Sequence, residues 1–177
     1  MIASEDAQFG DEVVVNVLIG AARAAGAWIE GQGNPGGATI DQQLAKALYP
    51  GSGTADTLRQ IGLGVKLGLR YSHRQILAMY LNVNYFGNGF WGVGEAAEGY
   101  FGVRPARLTW AEASLLVGLL QAPSADDPLA HYAAAKARQQ YVLDRLVAEH
   151  VLSPSRARAA FRSRLPLERQ RAAGNAR

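Results

Sequence analysis

The sequence predicts an all-α, mainly helical fold, and three observations lead to this prediction. Apolar residues recur at intervals of three and four along most of the chain, whereas the alternation of a half-buried strand hardly occurs. The 49% hydrophobic content of the 177 residues is enough for a domain of this length to bury a core. Capping boxes, in which Ser or Thr is followed three residues later by Gln or Glu, mark three helix starts. They are Thr39 with Gln42, Ser72 with Gln75, and Thr109 with Glu112.

The first half of the chain contains two predicted helices and a glycine-rich third. A mostly apolar helix is expected from Asp11 to Ile29, followed by a loop over residues 31–37. The next helix starts after Thr39 and ends before Pro50, because proline cannot continue a helix.

Residues 56–69 read as a helix despite their glycines. The segment places four apolar side chains on one side at helical spacing, namely Leu58, Ile61, Val65 and Leu69. Each interior glycine costs about 1 kcal/mol relative to alanine, so we expect a neighbouring backbone to pack closely here. The glycines are Gly62, Gly64 and Gly68.

The second half alternates helices with glycine- and proline-containing connections. Helices are predicted over residues 72–82, over an almost wholly apolar central segment at 109–120, and over 132–150. The aromatic and glycine-rich stretch at 85–102 is predicted to be a loop whose aromatic side chains pack internally. Ser153 and Pro154 open a last, arginine-rich helix.

Charge and composition limit the classes of function. The formal net charge is only +3, but residues 151–177 hold seven arginines against Glu168 alone. Such an end suits anionic partners such as lipid headgroups, although a solvated tail is the simpler interpretation, and no nucleic-acid partner is expected. The absence of cysteine excludes disulfides and thiolate metal sites, and the three histidines are too scattered to suggest a metal site. The sequence has no run of eighteen apolar residues and no signal peptide after Met1.

Four stretches in order resemble a known family. They are SEDAQF at 4–9, GGATIDQQLAK at 36–46, RYSHRQILAMYLNVNYFG at 70–87, and LTWAEASLLVGLLQAPS at 108–124. Together they resemble the peptidoglycan glycosyltransferase domain, glycosyltransferase family 51, of class A penicillin-binding proteins and monofunctional transglycosylases. The resemblance covers residues 1–150, as a domain that we expect to be truncated at its N-terminus. Residues 151–177 remain as a basic C-terminal helix and tail.

The resemblance implies a lysozyme-like fold with a small membrane-facing lobe, to which the apolar residues 13–19 correspond. It implies polymerisation of lipid II by inverting transfer from a polyprenyl pyrophosphate to the 4-hydroxyl of an acceptor sugar. The expected partners are lipid II, the nascent glycan chain, the membrane surface and cell-wall synthesis proteins. The expected location is the outer face of the bacterial cytoplasmic membrane, peripheral or anchored by a segment absent from this chain.

The resemblance assigns the catalytic role to Glu5, as the base that removes the acceptor's proton. A hydroxyl is a poor nucleophile until a carboxylate takes its proton, and an apolar cleft raises the pKa of such a carboxylate. Asp6 and Phe9 belong to the same motif and are expected to line the substrate site. An isolated acidic pair could instead be a helix start favoured by the macrodipole, and the later motifs favour the catalytic interpretation.

The second motif is expected to bind the substrate's pyrophosphate. Lys46 supplies positive charge, Gln42 and Gln43 supply amide donors, and the helix start at Thr39 offers free backbone N–H groups. An ordinary amphipathic helix with a solvated lysine is the alternative, and it stays open for Gln42.

The sequence departs from the family pattern at positions that matter for catalysis, beginning with Glu12, which stands near the place of the histidine in the family's first motif. The family's second essential glutamate falls on Gln60, and its arginine–lysine pair falls on Asp56 and Thr57. Arg59, next to Gln60, is the residue that could restore positive charge to the substrate site. A degenerate domain that binds lipid-linked glycan or a cell-wall partner without turnover is therefore the alternative function. Glycan hydrolysis ranks lower, because Glu5 has no clear carboxylate partner. No cofactor is evident, and the only candidate is a divalent cation such as magnesium.

Overall fold

The computed structural model describes residues 40–167, and the prediction of an all-α fold is confirmed for this range. Its α-helices are α1 (Ile40–Leu48), α2 (Thr54–Arg70), α3 (His73–Val83), α4 (Gly92–Phe101), α5 (Trp110–Leu119), α6 (Tyr132–Ala148) and α7 (Pro154–Arg162), with a 3-10 turn at Pro105–Arg107. Residues 40–84 and 85–167 belong to two separate compact parts. The predicted helix at 11–29 lies outside the described residues. None of the helices within 40–167 is both long and apolar enough to cross a bilayer.

In residues 40–84, α1 packs against α2 and α3. The core of this part consists of Leu44 and Ala45 from α1, Leu67 from α2 and Ile76 from α3. Helices α1 and α2 approach closely at Gly64, where an added Cβ would lie 3.4 Å from Gln42 Cγ. The expected close packing is therefore found at Gly64.

The apolar side of α2 that the sequence groups together faces outward. Leu58, Ile61, Val65 and Leu69 have exposed fractions of 69%, 46%, 57% and 85%. The buried side of the helix is instead formed by Leu67 and Gly64, with Leu63 packed against the core. Helix α2 is therefore apolar on two faces, of which only one contributes to the core.

Gly62 and Gly64 of α2 should respond differently to alanine. No atom lies within 4 Å of an added Cβ at Gly62, so Gly62→Ala is expected to raise the free energy of unfolding by about 0.5–1 kcal/mol through helix propensity. At the buried Gly64 an added methyl group would lie at ordinary van der Waals distance from α1, 3.5 Å from Asp41 O, so Gly64→Ala should add buried contact to the propensity gain and stabilise more than Gly62→Ala. Urea unfolding of both variants checks the difference. A loss of stability at Gly64 would mean that α1 and α2 leave no room for the methyl group.

Two of the predicted capping boxes form as expected. The Ser72 hydroxyl accepts a hydrogen bond from Gln75 N at 3.3 Å, and Gln75 Oε1 accepts one from Ser72 N at 3.0 Å. Glu112 Oε2 accepts from Thr109 N at 2.8 Å, and Thr109 Oγ1 accepts from Glu112 N at 3.3 Å. These local bonds fix the starts of α3 and α5.

In residues 85–167, α5 is the central helix, as predicted. Residues 111–119 are all buried, and α6 and α7 pack against this helix. The fully buried amide of Gln139 donates to Ala111 O at 2.7 Å, which ties α6 to α5.

The arginine-rich helix α7 is fixed to the helices before it. The ammonium of Lys136 donates to Gln139 Oε1 at 2.5 Å and to Phe161 O at 2.6 Å, and burial lowers its pKa. Beyond α7, Leu165 and Leu167 are also buried. As far as residue 167, the basic end is held by its apolar side chains, whereas its arginines are exposed.

The prediction of a loop over residues 85–102 is wrong for its second half, which forms helix α4. Three glycines lower the helix propensity of this segment, which is why the sequence suggested a loop. One face of α4 is buried, however, and this packing outweighs the weak propensity. The buried side chains of that face include Ala96, Ala97, Tyr100 and Phe101. Gly102, at φ +69°, ends the helix in the left-handed region.

The expected internal packing of the aromatic side chains is confirmed at the centre of this stretch. Phe86 and Tyr100 are fully buried, and the rings of Phe90 and Tyr100 meet edge to face at 5.0 Å. The Tyr100 hydroxyl donates to Phe86 O at 3.1 Å, and burial raises its pKa. Trp91 remains 61% exposed.

Candidate functional site

Five of the predicted site residues lie on α1 and the first half of α2, on either side of the connector 49–53. Gln42, Gln43 and Lys46 come from α1, and Arg59 and Gln60 come from α2. The other four predicted site residues, Glu5, Asp6, Phe9 and Thr39, lie outside the described residues.

Helix α3 orients the side chain of Gln43. The Tyr80 hydroxyl donates to Gln43 Oε1 at 3.0 Å in a partly buried contact. Burial raises the pKa of Tyr80, so the hydroxyl keeps the proton that it donates. The carbonyl end of the amide is thus directed at α3, which directs its NH₂ end away from Tyr80.

Gln42 and Lys46 lie one turn apart on α1 but differ in environment. Gln42 is half-buried, and its stem packs where α2 has Gly64. Lys46 is exposed in the last turn of α1, where the helix dipole favours a cation. No ion pair found within 40–167 involves Lys46. Its ammonium is therefore available to an incoming anion.

Gln60 holds the connector between α1 and α2. Its Nε2 donates to Tyr49 O at 3.0 Å and to Gly51 O at 3.1 Å. A carboxylate has no proton to donate and would face two carbonyl oxygens in this place. The side chain at position 60 therefore has a structural role here that a glutamate could not perform.

Arg59 is held by its neighbours but remains reachable. Its Nη1 donates to the Tyr49 hydroxyl at 3.3 Å and lies 3.5 Å from Asp56 Oδ1. The Arg59 side chain is 64% exposed, and exposed pairs of this kind contribute about 0–1 kcal/mol. A polyanion could thus recruit this guanidinium at small cost.

Two tyrosines that organise the site were missed by sequence reasoning. Tyr80 orients Gln43, and Tyr49 contacts both Arg59 and Gln60. The position of Tyr49, directly before Pro50 at a helix end, was the available signal that it belongs to a structured connector.

The described residues do not build a metal site. No group of three or more His, Asp or Glu side chains within 40–167 could hold an ion. Asp56 is the carboxylate nearest to Gln60 in sequence. It accepts a hydrogen bond from Gly53 N at 3.4 Å and forms a salt bridge with Arg59. Helices α1 and α2 therefore hold no ready-made group of three such ligands among the described residues.

A cavity of about 630 Å³ lies elsewhere, in residues 85–167. Its lining comes from the end of α4 and the 3-10 turn, and includes Glu98, Arg104 and Arg107. None of the five predicted site residues that the structure describes lines it. We place the candidate site on α1 and α2, where the donor and cationic side chains are, rather than at this cavity.

Gln60→Glu is expected to destabilise residues 40–84 in a pH-dependent way. At pH 7 the carboxylate loses both exposed bonds to the connector and should lower the free energy of unfolding by about 0.5–1.5 kcal/mol. The protonated acid can donate one bond, so the folded-state pKa of the introduced carboxyl group rises above its unfolded value of about 4.3. The defect should therefore shrink at pH 4 and grow as the pH rises. Urea unfolding relative to wild type at each pH measures it.

Gln60→Met is the matched control for this variant. It removes the same donors without adding a titrating group, so its loss of stability should not depend on pH. A Gln60→Glu protein as stable as wild type at pH 7 would contradict the role given to the amide.

Comparisons with known proteins agree on one family. The family model described as Transglycosylase matches residues 1–147. Penicillin-binding protein 1A of Neisseria gonorrhoeae is 36% identical over 172 residues, which cover 96% of this chain and 21% of that protein. Penicillin-binding protein 2a of Streptococcus pneumoniae is 40% identical over 115 residues, which cover 64% of this chain and 16% of that protein. The chain thus spans about a fifth or less of the length of these relatives.

Among solved structures, penicillin-binding protein 1A from Haemophilus influenzae matches with a TM-score of 0.49 and 26% identity. The match covers 71% of this chain and 16% of that one.

Proposed function

Since this chain belongs to the transglycosylase family, we propose that it polymerises lipid II into glycan strands at the outer face of the cytoplasmic membrane. The family match over residues 1–147 includes every residue assigned to the site, from Glu5 to Gln60. The named relatives are penicillin-binding proteins, which supports a role in peptidoglycan synthesis.

The proposed reaction is a single displacement with general-base catalysis. The Glu5 carboxylate takes the proton of the acceptor's 4-hydroxyl while the hydroxyl oxygen forms a bond to the anomeric carbon of the donor. The bond from that carbon to the pyrophosphate oxygen breaks on the opposite face, so the anomeric centre inverts. The polyprenyl pyrophosphate leaves with the bonding electron pair.

The single observation that best supports this proposal is the polar side of α1. Gln43 is oriented by Tyr80, and Lys46 is exposed with no ion-pair partner within 40–167. A leaving pyrophosphate gains negative charge as its bond breaks, and an ammonium with amide donors stabilises that charge. Arg59 adds a second cation once its weak pair with Asp56 opens.

A second candidate function is binding of lipid-linked glycan without turnover. The observation in its favour is that Gln60, at the place of the family's second glutamate, has its amide engaged with the connector. Asp56, the carboxylate nearest to Gln60 in sequence, already pairs with Arg59. Transfer with Glu5 alone still requires no second enzyme carboxylate, and so polymerisation ranks first.

The test is incubation of purified lipid II with the full chain, followed by separation of glycan products by size. Polymer formation supports the first proposal. Saturable retention of lipid II without polymer supports the second, and neither binding nor polymer would reject both. Release of short soluble saccharides would show hydrolysis instead.

A further inference from the structure

The cavity of about 630 Å³ in residues 85–167 is not used by the proposed reaction. Three charged side chains line it, Glu98 from α4 and Arg104 and Arg107 from the two ends of the 3-10 turn. The uncharged part of the lining comes from Gly102, Val103 and Ala106. Sites for drug-sized ligands have volumes of about 300–1,000 Å³, so the space suits a small organic molecule or a short peptide.

Local hydrogen bonds fix the backbone that carries the three charged side chains. Gly102 N donates to Glu98 O at 2.8 Å, and Gly102 ends α4 in the left-handed region at φ +69°. Arg107 N then donates to Arg104 O at 2.9 Å, and the buried side chain of Leu108 follows the turn. The charged groups are therefore attached to a preorganised backbone, which lowers the cost of binding a ligand.

The two arginines lie on the same side of the 3-10 turn. They are three residues apart, and a 3-10 helix has three residues per turn, so such positions eclipse each other. Arg104 and Arg107 are both exposed, and neither forms a salt bridge within the described part of the chain. Two neighbouring guanidinium groups can hold one carboxylate through paired N–H donors.

Glu98 adds a negative group to the same cavity. No salt bridge within residues 40–167 joins it to either arginine. Its carboxylate repels a purely anionic ligand such as phosphate and attracts an ammonium group. Opposite charges that line one cavity without pairing fit a ligand that carries both charges. Val103 and Ala106 offer apolar surface to the aliphatic stem between the ligand's two charged groups.

We propose that this cavity binds the carboxyl end of a peptide whose last residue has an ammonium side chain. The peptide's carboxylate meets Arg104 and Arg107, and its ammonium group meets Glu98. A free diamino acid fits less well, because its second ammonium, next to the carboxylate, would face the arginines, whereas in a peptide that nitrogen is a neutral amide. The proposal uses none of the residues assigned to the reaction and does not depend on it.

The test is an NMR titration of the isotope-labelled full chain with the peptide acetyl-Ala-Ala-Lys, followed through the backbone amide signals of residues 98–107. Two matched probes are the same peptide with an amidated carboxyl end and the same peptide with an acetylated lysine side chain. We expect saturable shifts with the first peptide. The amidated peptide should bind roughly tenfold more weakly and the acetylated one roughly threefold more weakly.

Variants of the charged side chains separate the two contacts. A chain with both Arg104→Gln and Arg107→Gln should bind the first peptide roughly tenfold more weakly. Glu98→Gln should abolish the preference for lysine over acetyl-lysine and keep the preference for a free carboxyl end, a pattern that a merely structural role would not produce.

The matched control carries Arg156→Gln and Arg158→Gln, two exposed arginines of α7, and should bind as wild type does. Circular dichroism checks that all variants keep wild-type helicity.

Three outcomes would overturn the proposal. The first is wild type whose signals do not shift with the first peptide, and the second is equal affinity for all three peptides. The third is binding of inorganic phosphate that the double arginine variant abolishes while its affinity for the peptide is unchanged, which would assign the cavity to small anions.

Discussion

Glu5→Gln is expected to lower the rate of lipid II polymerisation by about 10²–10⁴-fold, the range that a positioned general base contributes. Glutamine keeps the size of the side chain and its capacity to hydrogen-bond, but it cannot take the proton of the attacking hydroxyl. Binding of lipid II should change little, because the groups proposed to meet the pyrophosphate are on α1 and α2. Initial rates and lipid II retention, measured on the same preparations, separate the two effects.

Glu149→Gln is the control for the loss of a glutamate as such. Glu149 directly follows α6 and pairs with Arg145, with Oε1 3.3 Å from Arg145 Nη2. It lies in residues 85–167, whereas the described site residues lie in residues 40–84. Its variant should polymerise at the wild-type rate. If Glu5→Gln also polymerises lipid II at the wild-type rate, the assignment of Glu5 as the general base is wrong.

Gly87→Ala is expected to lower the free energy of unfolding of residues 85–167 by about 2–4 kcal/mol. Gly87 has φ +89°, in the left-handed region that side chains with a Cβ rarely adopt. An added Cβ would also lie 2.5 Å from Pro123 O, a backbone atom that cannot rotate away, and 3.0 Å from the buried Tyr100 hydroxyl. Backbone strain and overpacking therefore act at the same position. Thermal and urea unfolding measure the loss.

Gly89 offers a matched control two residues away in the same turn. Its φ is +83°, but no atom lies within 4 Å of an added Cβ. Gly89→Ala should therefore show only the conformational cost, about 1–2 kcal/mol. Equal losses in the two variants would mean that the contact with Pro123 contributes nothing to stability.

Sequence reasoning succeeded where the determining interaction is local. The boxes Ser72–Gln75 and Thr109–Glu112 satisfy backbone groups within one turn, so the starts of α3 and α5 could be predicted from spacing alone. Helix α4 could not, because three glycines weaken its local preference and burial of Tyr100 and Phe101 against distant residues decides its conformation.

The site shows the same division between local and distant effects. The polar residues of α1 were identified from the order of the sequence motifs. The hydrogen bond from Tyr80 to Gln43 joins positions 37 residues apart, so the local sequence pattern could not predict it. The apolar set of α2, namely Leu58, Ile61, Val65 and Leu69, was recognised as one face of a helix. Its direction was not, because Leu63, Leu67 and Gly64 offer a second face that packs better on α1.

The two bonds from Gln60 to the connector also restrict how this chain could change over time. A single reversion to glutamate at position 60 would place negative charge against two carbonyl oxygens before any catalytic benefit could arise. Both acceptors are backbone oxygens, which every residue type carries, so a substitution in residues 49–53 would not remove them. Gaining the carboxylate is therefore coupled to a different backbone path of the connector.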